Sequence, residues 1–222
     1  MARSLRESHN SSMQQGLLPL FPLQVVLLPG AELPLHIFED RYKEMMGEII
    51  RDREEFGVVL ANDKGIVNTG CTATVAKVLR QYPDGRMDIM TRGRRRFEIV
   101  MLNDERNYLR GAVEFFDDEQ FDPVAPEIQQ RAIEGYNELQ ALASNRPLES
   151  AESQNPQLSF QLAQPVPDVT FRQVLLATRS EAERLRQLAE FLPDYLVRQR
   201  RIQHVKDVAP RNGHGRGLGH VE

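Results

Sequence analysis

At 222 residues, with 41% apolar and 27% charged side chains, the chain has the balance of a globular protein with a packed core. A formal net charge of -4 gives no global attraction to nucleic acid or an anionic membrane, so any basic site must be local. The single cysteine, Cys71, excludes an intramolecular disulfide and fits a reducing compartment. The polar start lacks the apolar core of a signal peptide. The apolar stretch 17–28 is interrupted by Pro19, Pro22 and Gln24, and spanning a bilayer takes roughly 20 apolar residues. A cytoplasmic location away from membranes is expected.

Residues 1–16 are polar and aperiodic, the composition of a disordered tail. Val25-Val26-Leu27-Leu28, stopped by Pro29-Gly30, predicts a short buried strand. Phe38, Tyr42, Met45, Met46, Ile49 and Ile50 recur at helical spacing and predict a helix between Glu39 and Arg53. Phe38 and Tyr42 would pack it onto the strands, and Glu39 and Arg41 would tie its start to the sheet. Phe56-Gly-Val-Val-Leu-Ala61 predicts the next strand. In 72–80 Thr72, Thr74, Ala76, Val78 and Arg80 alternate with Ala73, Val75, Lys77 and Leu79. Pro83-Asp84-Gly85 supplies a turn, and Met87, Ile89 and Thr91 resume the alternation, so a hairpin is expected. Phe97, Ile99 and Met101, then Leu109, Ala112, Val113, Phe115 and Phe116, predict two more strands. Five or six short strands with one helix suggest a small, partly closed barrel.

Beyond Phe121-Asp-Pro-Val-Ala-Pro126 the pattern turns helical. Ile128, Ala132, Tyr136, Leu139 and Leu142 form a stripe at spacings of three and four. A loop over 144–157 precedes a short helix near 158–163, then one from Asp168, its N-cap, to about Thr178. Ser180-Glu-Ala-Glu183 has the form of a capping box opening the last helix. Its buried stripe would be Leu185, Leu188, Phe191, Leu192 and Leu196, and Pro193 would kink or split it. The glycine-rich end with His214 and His220 has the composition of a disordered tail and fixes no metal geometry.

No run of glycines, lysine and hydroxyl at phosphate-cradling spacing occurs, and the tail glycines lack the strand and helix that a dinucleotide turn needs. Cys71 reads as a small buried hydrophobe and His36 as a hydrogen-bonded structural residue; neither has a partner that would make it catalytic. No catalytic residue, cofactor or metal site is therefore expected. One cluster stands out: Arg92, Arg94, Arg95 and Arg96, with Arg80, Arg86, Arg106 and Arg110 nearby in sequence. It is either a basic patch for phosphates or acidic segments, or a set of arginines paired with Asp88, Glu98, Asp104 and Glu105. The second is favoured.

Leu18-Pro-Leu-Phe-Pro-Leu23, Val26-Leu-Leu-Pro-Gly30 and Leu33-Pro-Leu-His-Ile-Phe-Glu-Asp-Arg-Tyr42 resemble the opening of the Lon N-terminal domain. Gly70-x-x-Ala-Thr-Val, Asp84-Gly-Arg and Gly93-x-x-Arg-Phe-x-Ile99 follow in the family's order. Leu158-Ser-Phe-x-Leu-Ala163, Arg172-Gln-x-Leu-Leu176 and Arg184-Leu185 are similar to its helical part. The resemblance covers about residues 17–205. It implies an α+β fold: an N-terminal PUA-like β-barrel of about six strands with one helix over 17–121, then a C-terminal helical bundle over 122–208. Residues 1–16 and 209–222 are the expected tails. It also implies a non-catalytic module that holds polypeptide segments or a protein partner in protein quality control, through shallow grooves between barrel and bundle. Candidate ligand-binding residues are Arg92, Arg94, Arg95, Met45 and Met46, without cofactor or membrane. The alternative is RNA binding through the run from Arg92 to Arg96. The oligomeric state is left open.

Overall fold

Two long antiparallel strands organise the N-terminal part of the computed structural model, which describes residues 16–119, 123–143 and 155–208. They are β4 (Gly65–Gln81) and β5 (Met87–Asn103), which pair from Gln81↔Met87 to Thr69↔Glu98 around the turn at Pro83-Asp84-Gly85. The shorter strands attach to parts of this pair. β3 (Phe56–Asn62) meets β4 only as far as Phe56↔Ala73. β2 (Glu32–Ile37) lies along β5 from Arg92 to Met87, and β6 (Arg110–Phe115) along β5 from Phe97 to Asn103. β1 (Leu18–Leu23) runs parallel to β3 and antiparallel to β6.

The result is one mixed six-stranded sheet in the order β2-β5-β4-β3-β1-β6, with a further β5–β6 pairing. This corrects the expected PUA-like β-barrel of about six strands: the strands do not close into a barrel. The two central strands outrun their neighbours and leave open edges. β4 and β5 are 17 residues each, while their other neighbours have six or seven. Among the described residues β2 is therefore paired on one side only, and so are positions 74–81 of β4.

Other expectations change for local reasons. The run Val25 to Leu28 is not a strand. Val26, Leu27 and Leu28 are buried in a loop whose next residues bond to β5: Gly30 N–H donates to Gly93 O, and Gly93 N–H to Ala31 O. The expected strands at 87–91 and 97–101 are halves of β5. The period-two alternation of 72–80 is broken by register shifts at Val75/Lys77 and Val78/Arg80, so 76–81 are all exposed.

α1 (Asp40–Asp52) buries Tyr42, Met45, Met46 and Ile49. It ends at Arg53, which takes the left-handed conformation at φ 56° and returns its N–H to Ile49 O. Phe38 does not pack this helix down: it is 59% exposed. Glu39 and Arg41 pair with each other at 2.7 Å, so neither ties the helix to the sheet. α4 (Val169–Ala177) groups with the sheet; Asp168 caps it by accepting from Phe171 N–H, and Gln173 donates to Thr69 O.

The second compact unit contains α2 (Pro126–Ala143), α3 (Leu158–Ala163) and α5 (Glu181–Val208). Ala132, Tyr136 and Leu139 of α2 and Leu185, Leu188, Leu192 and Leu196 of α5 are buried, as their spacing predicts. Arg184 has no exposed surface; it donates to Ser159 Oγ and Glu181 Oε2 and lies over the Phe160 ring. Glu181 also accepts the Ser159 N–H, which closes the start of α3 from the neighbouring helix. Ser180 Oγ accepts from Glu183 N–H, while the Glu183 carboxylate turns to Arg186, so only half of the capping box forms. α5 runs through Pro193 and is not split. The tails and the loop residues 144–154 lie outside the described residues.

A Cβ at Gly93 would stand 2.2 Å from Leu28 O, whereas one at Gly47, on the open face of α1, meets nothing within 4 Å. Gly93→Ala is expected to destabilise the sheet unit by about 3 kcal/mol. Gly47→Ala is expected to stabilise by up to about 1 kcal/mol. Urea unfolding of the two variants checks both signs.

Candidate functional site: an unpaired strand edge beside a helix end

α1 stops at Arg53 and β3 begins at Phe56, opposite Ala73. Past Ala73, β4 runs on without a strand on that side. The end of α1 faces it across a cleft of about 470 Å³, with Ile49, Ile50, Arg53 and Glu54 on the helix wall and residues 74–78 on the strand wall. Ile49, Ile50, Val75 and Val78 give the cleft an apolar lining, and Leu79 is exposed just beyond. Among the described residues, Arg53, Glu54 and Lys77 form no ion pair. The sequence argument missed this site because nothing in the alternation of 72–80 says where a neighbouring strand ends.

At the far end of the same strands an exposed cluster forms. His36 Nδ1 and Asp88 Oδ1 are 2.6 Å apart, and Tyr82 donates to Asp88 Oδ2 at 2.9 Å. Phe38 stacks on His36, while Arg80 and Arg86 lie over the Tyr82 ring. The bonds from His36 and then Tyr82 hold the Asp88 carboxyl below its ordinary range. The stabilisation from this group is present above the unfolded carboxylate pKa and is lost as pH falls through the lower folded value.

The arginine run disperses. Arg96 is 4% exposed: it donates to Leu176 O, Thr178 O and Asp118, and lies over Phe116. Arg95 pairs with Glu55 and covers Phe115. Arg92 reaches Gly30 O at 3.4 Å, and Arg94 is exposed. Of the expected acidic partners Glu105 does pair with Arg110, whereas Glu98 pairs with Arg179 and Asp88 takes His36 and Tyr82. Met45 and Met46 have no exposed surface. Cys71 is fully buried, and burial pushes its thiol up to about 12. His36 sits in β2. Among the described residues no three His, Cys, Asp or Glu side chains are grouped to hold a metal, and no helix is long and apolar enough to cross a membrane.

Residues 17–194 match the family described as "ATP-dependent protease La (LON) substrate-binding domain". The chain belongs to that family. The match is to the substrate-binding part of these proteases, which is the non-catalytic module. A Lon protease of Parabacteroides distasonis is 28% identical over 121 residues, 50% of this chain and 15% of that protein. Lon protease 1 of Hydrogenovibrio crunogenus is 29% identical over 140 residues, 58% of this chain and 17% of the relative. The chain thus spans less than a fifth of these relatives. Among solved structures, a Lon N-terminal domain protein from Xanthomonas campestris is 29% identical with a TM-score of 0.63, covering 79% of this chain and 98% of its own. The N-terminal domain of a Mycobacterium avium complex Lon protease, 18% identical, shares the fold with a TM-score of 0.57 over 80% of this chain and 98% of its own.

Arg96→Met removes a buried guanidinium that donates to Asp118 and two carbonyls and is expected to cost about 3–5 kcal/mol. Arg94→Ala should stay within about 0.5 kcal/mol of the parent. Chemical denaturation of both separates a structural arginine from a surface one. Cys71 should resist iodoacetamide at pH 8 in the native protein and react once the chain is unfolded in urea, as read by intact mass.

Proposed function

We propose that this chain holds exposed, extended segments of other polypeptides in protein quality control, within a reducing cytoplasmic compartment. The supporting observation is the apolar surface that the sheet unit leaves in solvent. Val100, Met101 and Leu102 are consecutive and exposed on β5, with Phe115 on β6 and Val78 and Leu79 on β4. Exposed apolar side chains in runs mark surfaces that meet a partner. Arg92 and Arg94 add local positive charge for acidic stretches of a client, while Met45 and Met46 support α1 from within the core. RNA binding is the weaker alternative, because Arg95 and Arg96 are engaged by Glu55, Phe115, Asp118 and backbone carbonyls.

The test uses fluorescence anisotropy with three labelled probes: native α-lactalbumin, its reduced and carboxymethylated form, and a single-stranded RNA of about 20 nucleotides. Preference for the unfolded protein over the native one by at least about tenfold, with a shallow salt dependence, is the expected result. Equal binding of both protein forms, or tight RNA binding that falls steeply with salt, would reject the proposal.

A further inference from the structure

We infer that positions 74–81 of β4 bind a client by strand addition: an extended segment docks along this edge, in the cleft closed on its other side by the end of α1. This deepens the polypeptide-binding proposal and rests on it.

A strand paired on one side directs every second N–H and C=O away from its partner. β4 is paired with β5 through Gln81 but with β3 only through Ala73, so the outward groups of 74–81 have no strand to meet. Edges of this kind are templates for another chain in extended form, and main-chain hydrogen bonds make the recognition tolerant of sequence. Along 74–78 this edge borders a cleft, while the side chains of 76–81 remain exposed. The helix end stands off from residues 74–78, leaving the gap of about 470 Å³ described above. Five residues of strand span roughly 17 Å, so the cleft accommodates a short extended segment.

Side chains define the occupant further. Ile49, Ile50 and Val75 offer apolar contact to every second residue of the guest. The charges along the edge are Arg53, Lys77 and Arg80 against Glu54, a net positive border. The complementary guest is an extended segment in which apolar residues alternate or mix with acidic ones. A second copy of this chain fits poorly, because pairing two such edges sets like charges against each other. Lys77 opposes pairing with a second copy, whose edge carries the same positive charge, but not with an acidic guest.

The register shifts in β4 supply a clean variant. Ala76 falls between Val75↔Thr91 and Lys77↔Met90 and has no partner on β5, so a proline there spares the β4–β5 ladder while stiffening and blocking the edge. The experiment follows residue-resolved amide exchange of the full chain with and without reduced, carboxymethylated α-lactalbumin. Binding of the same probe to Ala76→Pro and Lys77→Glu is measured alongside. The expected result is slowed exchange within 74–81 on binding, with affinity at least tenfold weaker in Ala76→Pro and reduced in Lys77→Glu. If Ala76→Pro fails to fold, the exchange data and Lys77→Glu decide. Probe binding that leaves these amides unchanged, or that survives both substitutions, overturns strand addition while the polypeptide-binding proposal stands. Failure of the parent chain to bind the probe at all overturns both.

Discussion

The antiparallel ladder between β4 and β5 is the element on which the rest of the sheet unit depends. Each other strand except β1 is hydrogen-bonded to one of these two, and β1 is held between β3 and β6. Because the two central strands are much longer than the strands beside them, no neighbour covers either one fully. The uncovered backbone is satisfied by water, so exchanging water for a peptide strand yields only about 0.5–1.5 kcal/mol per bond. A handful of such bonds does not outweigh the cost of association. If a client adds as a strand, apolar contact in the cleft must supply the remainder, and the expected affinity is modest and weakly selective. Those properties would suit the proposed holding and release of many unfolded chains.

Buried arginines perform the opposite task. Arg96 gathers the carbonyls of Leu176 and Thr178, where α4 ends, together with Asp118 and the face of Phe116. A cation at a helix C-terminus meets the negative end of its dipole and its unpaired carbonyls. Arg184 does comparable work in the helical unit, joining Ser159 and Glu181 over Phe160. Each guanidinium has several donors in one plane, so a single side chain can fix a chain end, a carboxylate and a ring at once. This use of arginine inside the fold explains why a run of basic residues in an acidic chain need not form a basic surface.

The helices were the more legible part of the sequence. The stripes of α2 and α5, the Asp168 cap and the α1 boundaries follow from spacing and capping chemistry, which are local. The strands were less so. Proline removes a donor from a strand, yet β1 carries Pro19 and Pro22 and pairs on both sides through short stretches, and Pro34 sits on an edge strand, where a missing N–H costs little. The buried loop at Val26 to Leu28 looked like a strand because burial and strand pattern are the same signal in a short apolar run. Opening of the sheet was illegible for a related reason: whether a sheet closes depends on relative strand lengths and register, which no single segment encodes. The arginine run was legible as unusual but not as to its partners, since Leu176, Thr178 and Asp118 are distant in sequence. The cleft was invisible, because it exists where β3 ends and β4 does not.

Residue-resolved amide exchange of the free chain is the most direct test of that central claim. The account predicts a periodic pattern past Ala73: amides directed toward β5 exchange slowly, and those directed to the open side exchange quickly. Amides in 70–73 of β4, flanked by both β3 and β5, are slow on both sides. Uniform protection from 74 to 81 would mean that the edge is already covered, and the proposed site would not exist.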